Sequence, residues 1–153
     1  MTIEISLASK KDRVQLLDFF KHYKIKEIIK NRVDCYTSHS FTVVAKEGDK
    51  IVGCLQWYVK EDPKTGVVEF EEFFVSKNFR GKGIGSRLIE YAISSVKDYF
   101  KKIEIKPRKI FLFTSKSNEI SRKVIEEQGF KLIAEVGNLF FDNEAELFYC
   151  LVL

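Results

Sequence analysis

The sequence predicts a single-domain protein of the α/β class, because segments with helical periodicity alternate with segments of strand periodicity along its length. Three observations lead to this prediction. A helical N-terminal region precedes a run of three strand-like segments, a long amphipathic helix follows a glycine-rich loop, and two strand-like segments end the chain. The 153 residues have the length of about one domain and contain no repeat or linker, so residues 1–153 are expected to form one domain.

The N-terminal region is predicted to begin with a strand over residues 2–8, where polar and apolar residues alternate weakly. Ser9 and Asp12 have the spacing of a capping arrangement, which indicates that a helix starts there. Apolar residues at three-residue spacing predict an amphipathic helix over about 10–22, and a second helical stretch follows near 24–33.

Three consecutive strands joined by short turns are predicted in the middle of the chain. Gly48 and Asp49 separate two β-rich runs and give a hairpin signal, and "EDPKTG" marks a second turn. In the third run, "VVEFEEFFV", Glu69 and Glu71 share a face, but Glu72 is also polar and the next three residues are apolar. Such a phase slip within a strand indicates a β-bulge.

The second half of the chain begins with its most regular helical pattern. This long helix follows the glycine-rich loop, and its apolar stripe at four-residue spacing consists of Ile84, Leu88, Ala92, Val96 and Phe100, with Ile89 and Ile93 beside them.

Three further elements are predicted after the long helix. They are a short buried strand at 110–113, a helix over about 118–128 that ends at Gly129, and a last strand pair formed by "FKLIAEV" and "AELFYCLVL".

Composition and charge exclude several classes of protein. No apolar run approaches the roughly 20 residues of a membrane span, and the N-terminus lacks the pattern of a secretory signal, so a cytoplasmic location is expected. The net charge of +4 is too small to indicate nucleic acid by itself. The basic run at 101–109 lacks interleaved aromatic residues and is interpreted as a solvated connector rather than a nucleic-acid patch.

Cysteine and histidine do not indicate a disulfide framework or a metal site. The three cysteines, Cys35, Cys54 and Cys150, are odd in number and widely separated, which favours reduced thiols. His22 and His39 are seventeen residues apart, and neither has Cys, Asp or Glu at metal-ligand spacing. We therefore expect no metal.

A glycine-rich loop with basic residues lies in "VSKNFRGKGIGSRLIEYA", between the third strand and the long helix. Glycines let backbone N–H groups approach phosphate oxygens, and a helix N-terminus carries partial positive charge. The spacing excludes the pattern G-x-x-x-x-G-K-[ST], and no acidic residue ends a following strand as a dinucleotide site requires. The loop is predicted to bind phosphate in another way, and a flexible basic turn that only starts the helix is the alternative.

Two motifs together carry a family resemblance. Arg80, Gly83 and Gly85 match the pattern Arg/Gln-x-x-Gly-x-Gly/Ala, and downstream a short strand is followed by Asn118 and by a helix that ends in Gly-Phe. Over roughly residues 41–135 the chain thereby resembles the GNAT superfamily, the acetyl-coenzyme A dependent N-acetyltransferases. The resemblance implies an α/β (α+β) fold, with a mixed, mostly antiparallel sheet of about six to seven strands, helices on both faces and splayed central strands.

The resemblance also implies where acetyl-coenzyme A would bind. The bulge would splay the strand before the loop away from the next strand, so that the pantetheine arm enters the gap and pairs with the main chain of Phe73 and Val75. The Val75 N–H region would polarise the thioester carbonyl. The cofactor-binding residues implied in this way are Phe73, Phe74, Val75, Arg80, Gly81, Lys82, Gly83, Ile84, Gly85, Ser86 and Asn118.

Catalysis requires a base, because an alkyl ammonium is mostly protonated at neutral pH and cannot attack the thioester. Glu69 occupies the position at which some GNAT members carry a strand glutamate as base, and Glu71 lies on the same face. Both are candidate catalytic residues; solvent-facing strand residues, or groups that attract a cationic substrate, are the alternatives. Of the adjacent Trp57 and Tyr58, one is expected in the core and the other near an acceptor pocket.

The sequence departs from the family pattern at the general acid. Many GNAT members carry a tyrosine seven residues after the motif Asn118, and this chain has Ile125 there. A thiol with a pKa of about 8.5 can leave with modest help, so activity need not be lost. Tyr91, Tyr99 and Tyr149 are conceivable substitutes.

The sequence therefore predicts an acyltransferase that moves an acetyl group from acetyl-coenzyme A to a primary amine by direct attack in a ternary complex. The amine belongs to a small molecule, a peptide N-terminus or a lysine. The alternative is a non-catalytic acyl-coenzyme A binding module, a sensor or interaction domain. The expected partner is the amine-bearing acceptor, and neither nucleic acid nor a membrane is expected. A homodimer is left open, because the C-terminal run "LFYCLVL" is strongly apolar.

Overall fold

The chain forms seven strands and four α-helices within the residues that the computed structural model describes, which are 2–21, 26–38 and 41–153. The strands are β1 (Glu4–Leu7), β2 (Phe41–Glu47), β3 (Lys50–Val59), β4 (Val67–Val75), β5 (Lys109–Ser115), β6 (Lys131–Gly137) and β7 (Ala145–Val152). The helices are α1 (Arg13–Phe19), α2 (Lys26–Ser38), α3 (Ile84–Lys102) and α4 (Glu119–Glu127). The strands lie in one sheet in the order β1-β2-β3-β4-β5-β7-β6.

Strand pairing in this sheet is mixed and mostly antiparallel, as predicted. The pairs β1–β2, β2–β3, β5–β7 and β6–β7 are antiparallel. β4 pairs in parallel with β5, from Val67 opposite Lys109 to Phe70 opposite Leu112. Both strands continue past the last of these pairs. The predicted fold class is confirmed.

The chain divides into two compact units, and each unit is made of two separate stretches of the sequence. The first unit consists of Met1–Trp57 and Glu72–Ala92, and the second consists of Tyr58–Glu71 and Ile93–Leu153. The single-domain organisation of residues 1–153 stays a prediction.

The first unit has a hydrophobic core to which α1, α2, β2 and β3 contribute. The predicted capping arrangement is present, because the Ser9 backbone N–H donates to the Asp12 carboxylate at 2.7 Å and the Ser9 hydroxyl accepts from the Lys11 N–H at 3.3 Å. A short 3₁₀ turn over Lys10–Asp12 then leads into α1, which ends earlier than predicted. The buried core residues are Leu16, Phe20, Ile29, Val33, Val44, Ile51 and Cys54.

The long amphipathic helix predicted after the glycine-rich loop is α3. All but two of its exposed positions, Tyr91 and Ser94, carry charged side chains, and its predicted apolar stripe is buried, which confirms the four-residue periodicity. The stripe residues, each at most 2% exposed, are Ile84, Leu88, Ile89, Ala92, Val96 and Phe100.

The second unit buries one face of its strands and leaves the other partly exposed. The α4 helix begins after Asn118, and Gly129 follows it with φ +88, which is the left-handed conformation predicted for its end. The last two strands are present as predicted. The buried strand residues are Val68, Phe70, Ile110, Leu112, Leu147 and Tyr149.

The remaining predictions concern thiols, metals and membranes. All three cysteines are thiols rather than disulfides. Residues that could together hold a metal ion are absent from the described ranges, and His22 and His39 lie outside them. None of the helices described has the length and apolar character needed to cross a membrane.

Candidate active site

The glycine-rich loop has backbone conformations that favour glycine. Gly81 has φ +72 and Gly83 has φ +71, and a side chain built at either position would meet no atom within 4 Å. The Gly83 carbonyl accepts the Arg87 N–H at 3.1 Å as α3 begins at Ile84. Because the first N–H groups of a helix have no intrahelical partner, the open space at the glycines adjoins backbone donors and the positive end of the helix dipole. This geometry suits an anion such as a pyrophosphate.

Two basic side chains are fixed beside this loop by aromatic rings. The Arg80 Nε donates to the Val75 carbonyl at 2.9 Å, and its guanidinium carbon lies 5.6 Å from the Phe74 ring centre. The Lys82 Nζ lies 5.2 Å from the Phe79 ring centre. Cation–π contacts of this kind hold positive charge in place without neutralising it.

Strand β4 changes its backbone conformation at the position where the sequence predicted a bulge. Glu72 has φ +48, which is unusual for a residue other than glycine. Alternating burial ends there, since the following residues up to Val75 are all partly buried. Glu72 is held from two sides, because its carboxylate pairs with Arg32 of α2 and its carbonyl accepts from the Cys54 thiol at 3.1 Å. These observations agree with the predicted bulge.

An acidic cluster lies on the N-terminal half of β4, in the second unit. The Tyr58 hydroxyl lies 2.5 Å from the Glu69 carboxylate and 2.8 Å from the Glu71 carboxylate. The Lys60 Nζ also contacts Glu69, at 3.1 Å. The two candidate bases are therefore joined through one hydroxyl, which has one proton and can donate to only one of them at a time.

Environment decides the protonation of two members of this cluster. Burial raises the pKa of Tyr58 well above its usual value, and the hydrogen bonds to Glu69 and Glu71 raise it further, so the phenol stays neutral. The hydrogen bond and charge of Glu69 raise the pKa of Lys60, which therefore stays an ammonium ion. The side chain of Glu69 is only 12% exposed, whereas that of Lys60 is 42% exposed. The cluster consists of two carboxylates, one ammonium and one neutral phenol.

Of the adjacent residues Trp57 and Tyr58, Trp57 is the one that lies in the core, and a place for Tyr58 near an acceptor pocket stays a prediction. Trp57 is fully buried and stacks on Phe41, with ring centres 4.0 Å apart. Tyr58 faces the acidic cluster. Sequence reasoning did not find Lys60, although the turn "EDPKTG" directly after it was a signal. In the structure the Lys60 N–H donates to the Val67 carbonyl at 2.8 Å across this turn. Counting outward from that turn places Tyr58 opposite Glu69.

The downstream motif supplies a helix cap. The Asn118 side chain accepts the Ser121 N–H at 3.2 Å and so caps α4, in the second unit. Its role as a cofactor contact stays a prediction.

A general acid is not evident where the family pattern would have one. Ile125 is 1% exposed and belongs to the buried side of α4. Of the conceivable substitutes, Tyr149 is fully buried and its hydroxyl donates to Glu126 at 2.6 Å. Burial and this carboxylate raise the pKa of Tyr149, which makes its phenol a poorer proton donor.

Comparisons with known proteins agree with this geometry. The family model described as "Acetyltransferase (GNAT) family" matches residues 11–130. No curated protein matches the chain with significance. The solved structures similar to it include an N-acetyltransferase from Staphylococcus aureus Mu50, with TM-score 0.79, 20% identity and 99% of each chain covered.

Two further solved structures have a similar fold. The ribosomal-protein-S18-alanine N-acetyltransferase from Escherichia coli has TM-score 0.78 and 14% identity, with 99% of this chain and 94% of that chain covered. Mutant forms of the spermidine/spermine N-acetyltransferase from Vibrio cholerae have TM-score 0.75 and 15% identity, with 99% and 95% covered. At these identities the likeness concerns the fold alone.

Proposed function

The chain belongs to the acetyltransferase (GNAT) family, a family of acyltransferase enzymes, and on that premise we propose that it transfers an acetyl group from acetyl-coenzyme A to a primary amine. The observation that carries this proposal is the acidic cluster, in which one phenol hydroxyl joins two carboxylates at 2.5 and 2.8 Å. An amine that arrives as an ammonium ion needs such a group, both to attract it and to take its proton.

The glycine-rich loop supports the assignment of the cosubstrate. Open space at Gly81 and Gly83, the start of α3 and the positive charge of Arg80 fit a pyrophosphate. Lys82 adds a second positive charge. Acetyl-coenzyme A supplies the acetyl group as a thioester. The other cosubstrate contacts proposed are Phe73, Phe74, Val75, Ile84, Gly85, Ser86 and Asn118.

The proposed chemistry forms one N–C bond and breaks one C–S bond, and the ammonium nitrogen gives up two protons, one to Glu69 and one that ends on the departing thiolate of coenzyme A. Glu69 accepts the proton of the acceptor ammonium, and the exposed Glu71 draws the cation toward it. Tyr58 holds both carboxylates in place and stays protonated. The Val75 N–H donates to the carbonyl oxygen on which negative charge develops.

The acceptor is a small molecule, a peptide N-terminus or a lysine side chain. Names of similar structures include acetyltransferases for spermidine and spermine and for the alanine of ribosomal protein S18. Both classes of acceptor present a primary amine, and both belong in the first panel of substrates.

The test measures thiol release from acetyl-coenzyme A over a panel of primary amines, in the wild type and in Glu69→Gln. Loss of a general base is expected to lower kcat by about 100-fold or more, with little change in coenzyme A affinity. Glu127→Gln is the matched control, because Glu127 is 55% exposed and pairs only loosely with Lys123, at 4.0 Å. Full turnover in Glu69→Gln, or no amine-dependent release by the wild type, would contradict the proposal.

The buried Ile125 favours a second candidate, a non-catalytic acyl-coenzyme A binding module. The same measurements separate the two. Tight coenzyme A binding without amine-dependent thiol release in any member of the panel supports the binding module.

A further inference from the structure

Four phenylalanines form an aromatic face in the second unit, made of Phe111 and Phe113 on β5, Phe148 on β7 and Phe140 in the β6–β7 loop. The rings of Phe113 and Phe148 stack with centres 5.0 Å apart, and Phe111 meets Phe148 at 5.6 Å. Phe140 packs edge-on against Phe113 at 5.9 Å. Distances and angles of this kind are those of attractive ring pairs.

This aromatic face lies on the same side of the strands as the acidic cluster. Successive side chains on a strand point to opposite faces, and Ile110 and Leu112 on β5 belong to the buried face. Phe111 and Phe113 therefore point to the other face, and Phe111 is the register partner of Glu69 on β4. Adjacent strands are roughly 5 Å apart, so the nearest ring stands one strand away from the candidate base.

The aromatic face is not fully covered by the protein. Phe111, Phe113 and Phe148 are partly exposed, and Phe140 is 60% exposed. Large apolar patches that remain open on a surface usually mark an interaction site. Beside them, the carboxylates of Glu69 and Glu71 against the single ammonium of Lys60 leave a net negative charge.

We propose that the acceptor is a primary amine that carries an aromatic ring about two carbon atoms from the nitrogen. This inference rests on the proposed acetyltransferase function. The ammonium group meets the negative cluster, while the ring stacks on Phe111, Phe113 and Phe148. A two-carbon linker spans the roughly 5 Å between neighbouring strands. The net negative charge of the acidic cluster favours a cationic ligand over a second copy of the chain. In a two-fold dimer the second copy would bring its own acidic cluster to the interface, and the like charges would repel each other.

The test compares kcat/KM for 2-phenylethylamine, n-butylamine and 1,4-diaminobutane. The wild type is expected to prefer 2-phenylethylamine over n-butylamine by about tenfold, because ring stacking adds to the area buried. Phe113→Leu keeps an apolar side chain and removes the ring, so it is expected to lower this preference to about threefold or less. Phe141→Leu is the matched control, since Phe141 is 66% exposed and lies outside the aromatic face.

Equal kcat/KM for the aromatic and aliphatic amines, or a preference for 1,4-diaminobutane, would overturn this inference and leave the acetyltransferase function standing. If no amine is acetylated, the proposed function fails, and the face is then tested by binding of 2-phenylethylamine in ligand-observed NMR. Weaker binding by Phe113→Leu than by Phe141→Leu supports the aromatic face, and equal binding refutes it. A wild-type dimer that Phe113→Leu dissociates in sedimentation velocity would assign the face to a second copy instead.

Discussion

Replacing Gly83 by alanine tests the phosphate-binding role of the glycine-rich loop. Gly83 has φ +71, so an alanine there is strained, but its Cβ would meet no protein atom within 4 Å. The substitution therefore places a methyl group into space that the protein leaves open. Gly48→Ala is a matched control, because Gly48 has φ +56 and equally open surroundings in the β2–β3 hairpin.

The expected magnitudes separate strain from ligand exclusion. A left-handed alanine costs about 1–2 kcal/mol in either variant, which lowers Tm by about 2–8 °C for a chain of this size. In Gly83→Ala the methyl group also keeps phosphate oxygens from the backbone donors. Loss of one hydrogen bond to a charged group costs about 1.5–3 kcal/mol, so coenzyme A affinity is expected to fall about 10- to 100-fold.

Calorimetric titration with coenzyme A and thermal unfolding with and without it measure both effects. A ligand at 100 times its Kd stabilises the folded state by about 2.7 kcal/mol, and at the same coenzyme A concentration Gly83→Ala is expected to keep only about 0.4–1.4 kcal/mol of this gain. Gly48→Ala should keep the wild-type Kd. If both variants bind coenzyme A with the same Kd, the loop does not hold the pyrophosphate as argued.

Three further predictions concern stability and protonation. Gly66→Ala is expected to lower the free energy of unfolding in urea by about 2–4 kcal/mol, because Gly66 has φ +66 and an added Cβ would lie 2.5 Å from the Lys106 carbonyl oxygen. Gly137→Ala is the control and should change the free energy of unfolding little, because an added Cβ there would meet no atom within 4 Å. Asn118→Ala should lower the free energy of unfolding by about 0.5–2 kcal/mol, because it removes the N-cap of α4. Asn118→Asp keeps a capping side chain, so a loss of coenzyme A affinity in the aspartate variant would indicate a direct cosubstrate contact. The raised pKa of Tyr58 means that an ultraviolet titration should show its phenol ionising well above the usual value near 10, in addition to Tyr149, whose pKa is also raised. Because the folded state then holds that proton more tightly, its contribution to stability is complete below pH 10 and declines as the pH rises further, and Tyr58→Phe should show a smaller decline.

Local signals in the sequence predicted most of the elements. The stripe from Ile84 to Phe100, the capping pair Ser9 and Asp12 and the turn at Gly48 each depend on residues a few positions apart, and the structure contains all three. The ends of α1 and α2 were predicted less well. The apolar pattern continues past Phe19, where α1 ends, so packing decides that boundary.

The sequence alone determined the family, the glycine-rich loop and the two candidate bases, because each depends on a short motif or on alternation within one strand. Tertiary structure decided which distant side chains join them. Tyr58 and Lys60 reach Glu69 across a turn, and Phe111 stands beside Glu69 only because β5 pairs with β4 in one particular register. A shift of that register by one residue would point Phe111 to the buried face. Periodicity shows which residues share a face of a strand, but only pairing between strands determines which faces form a site.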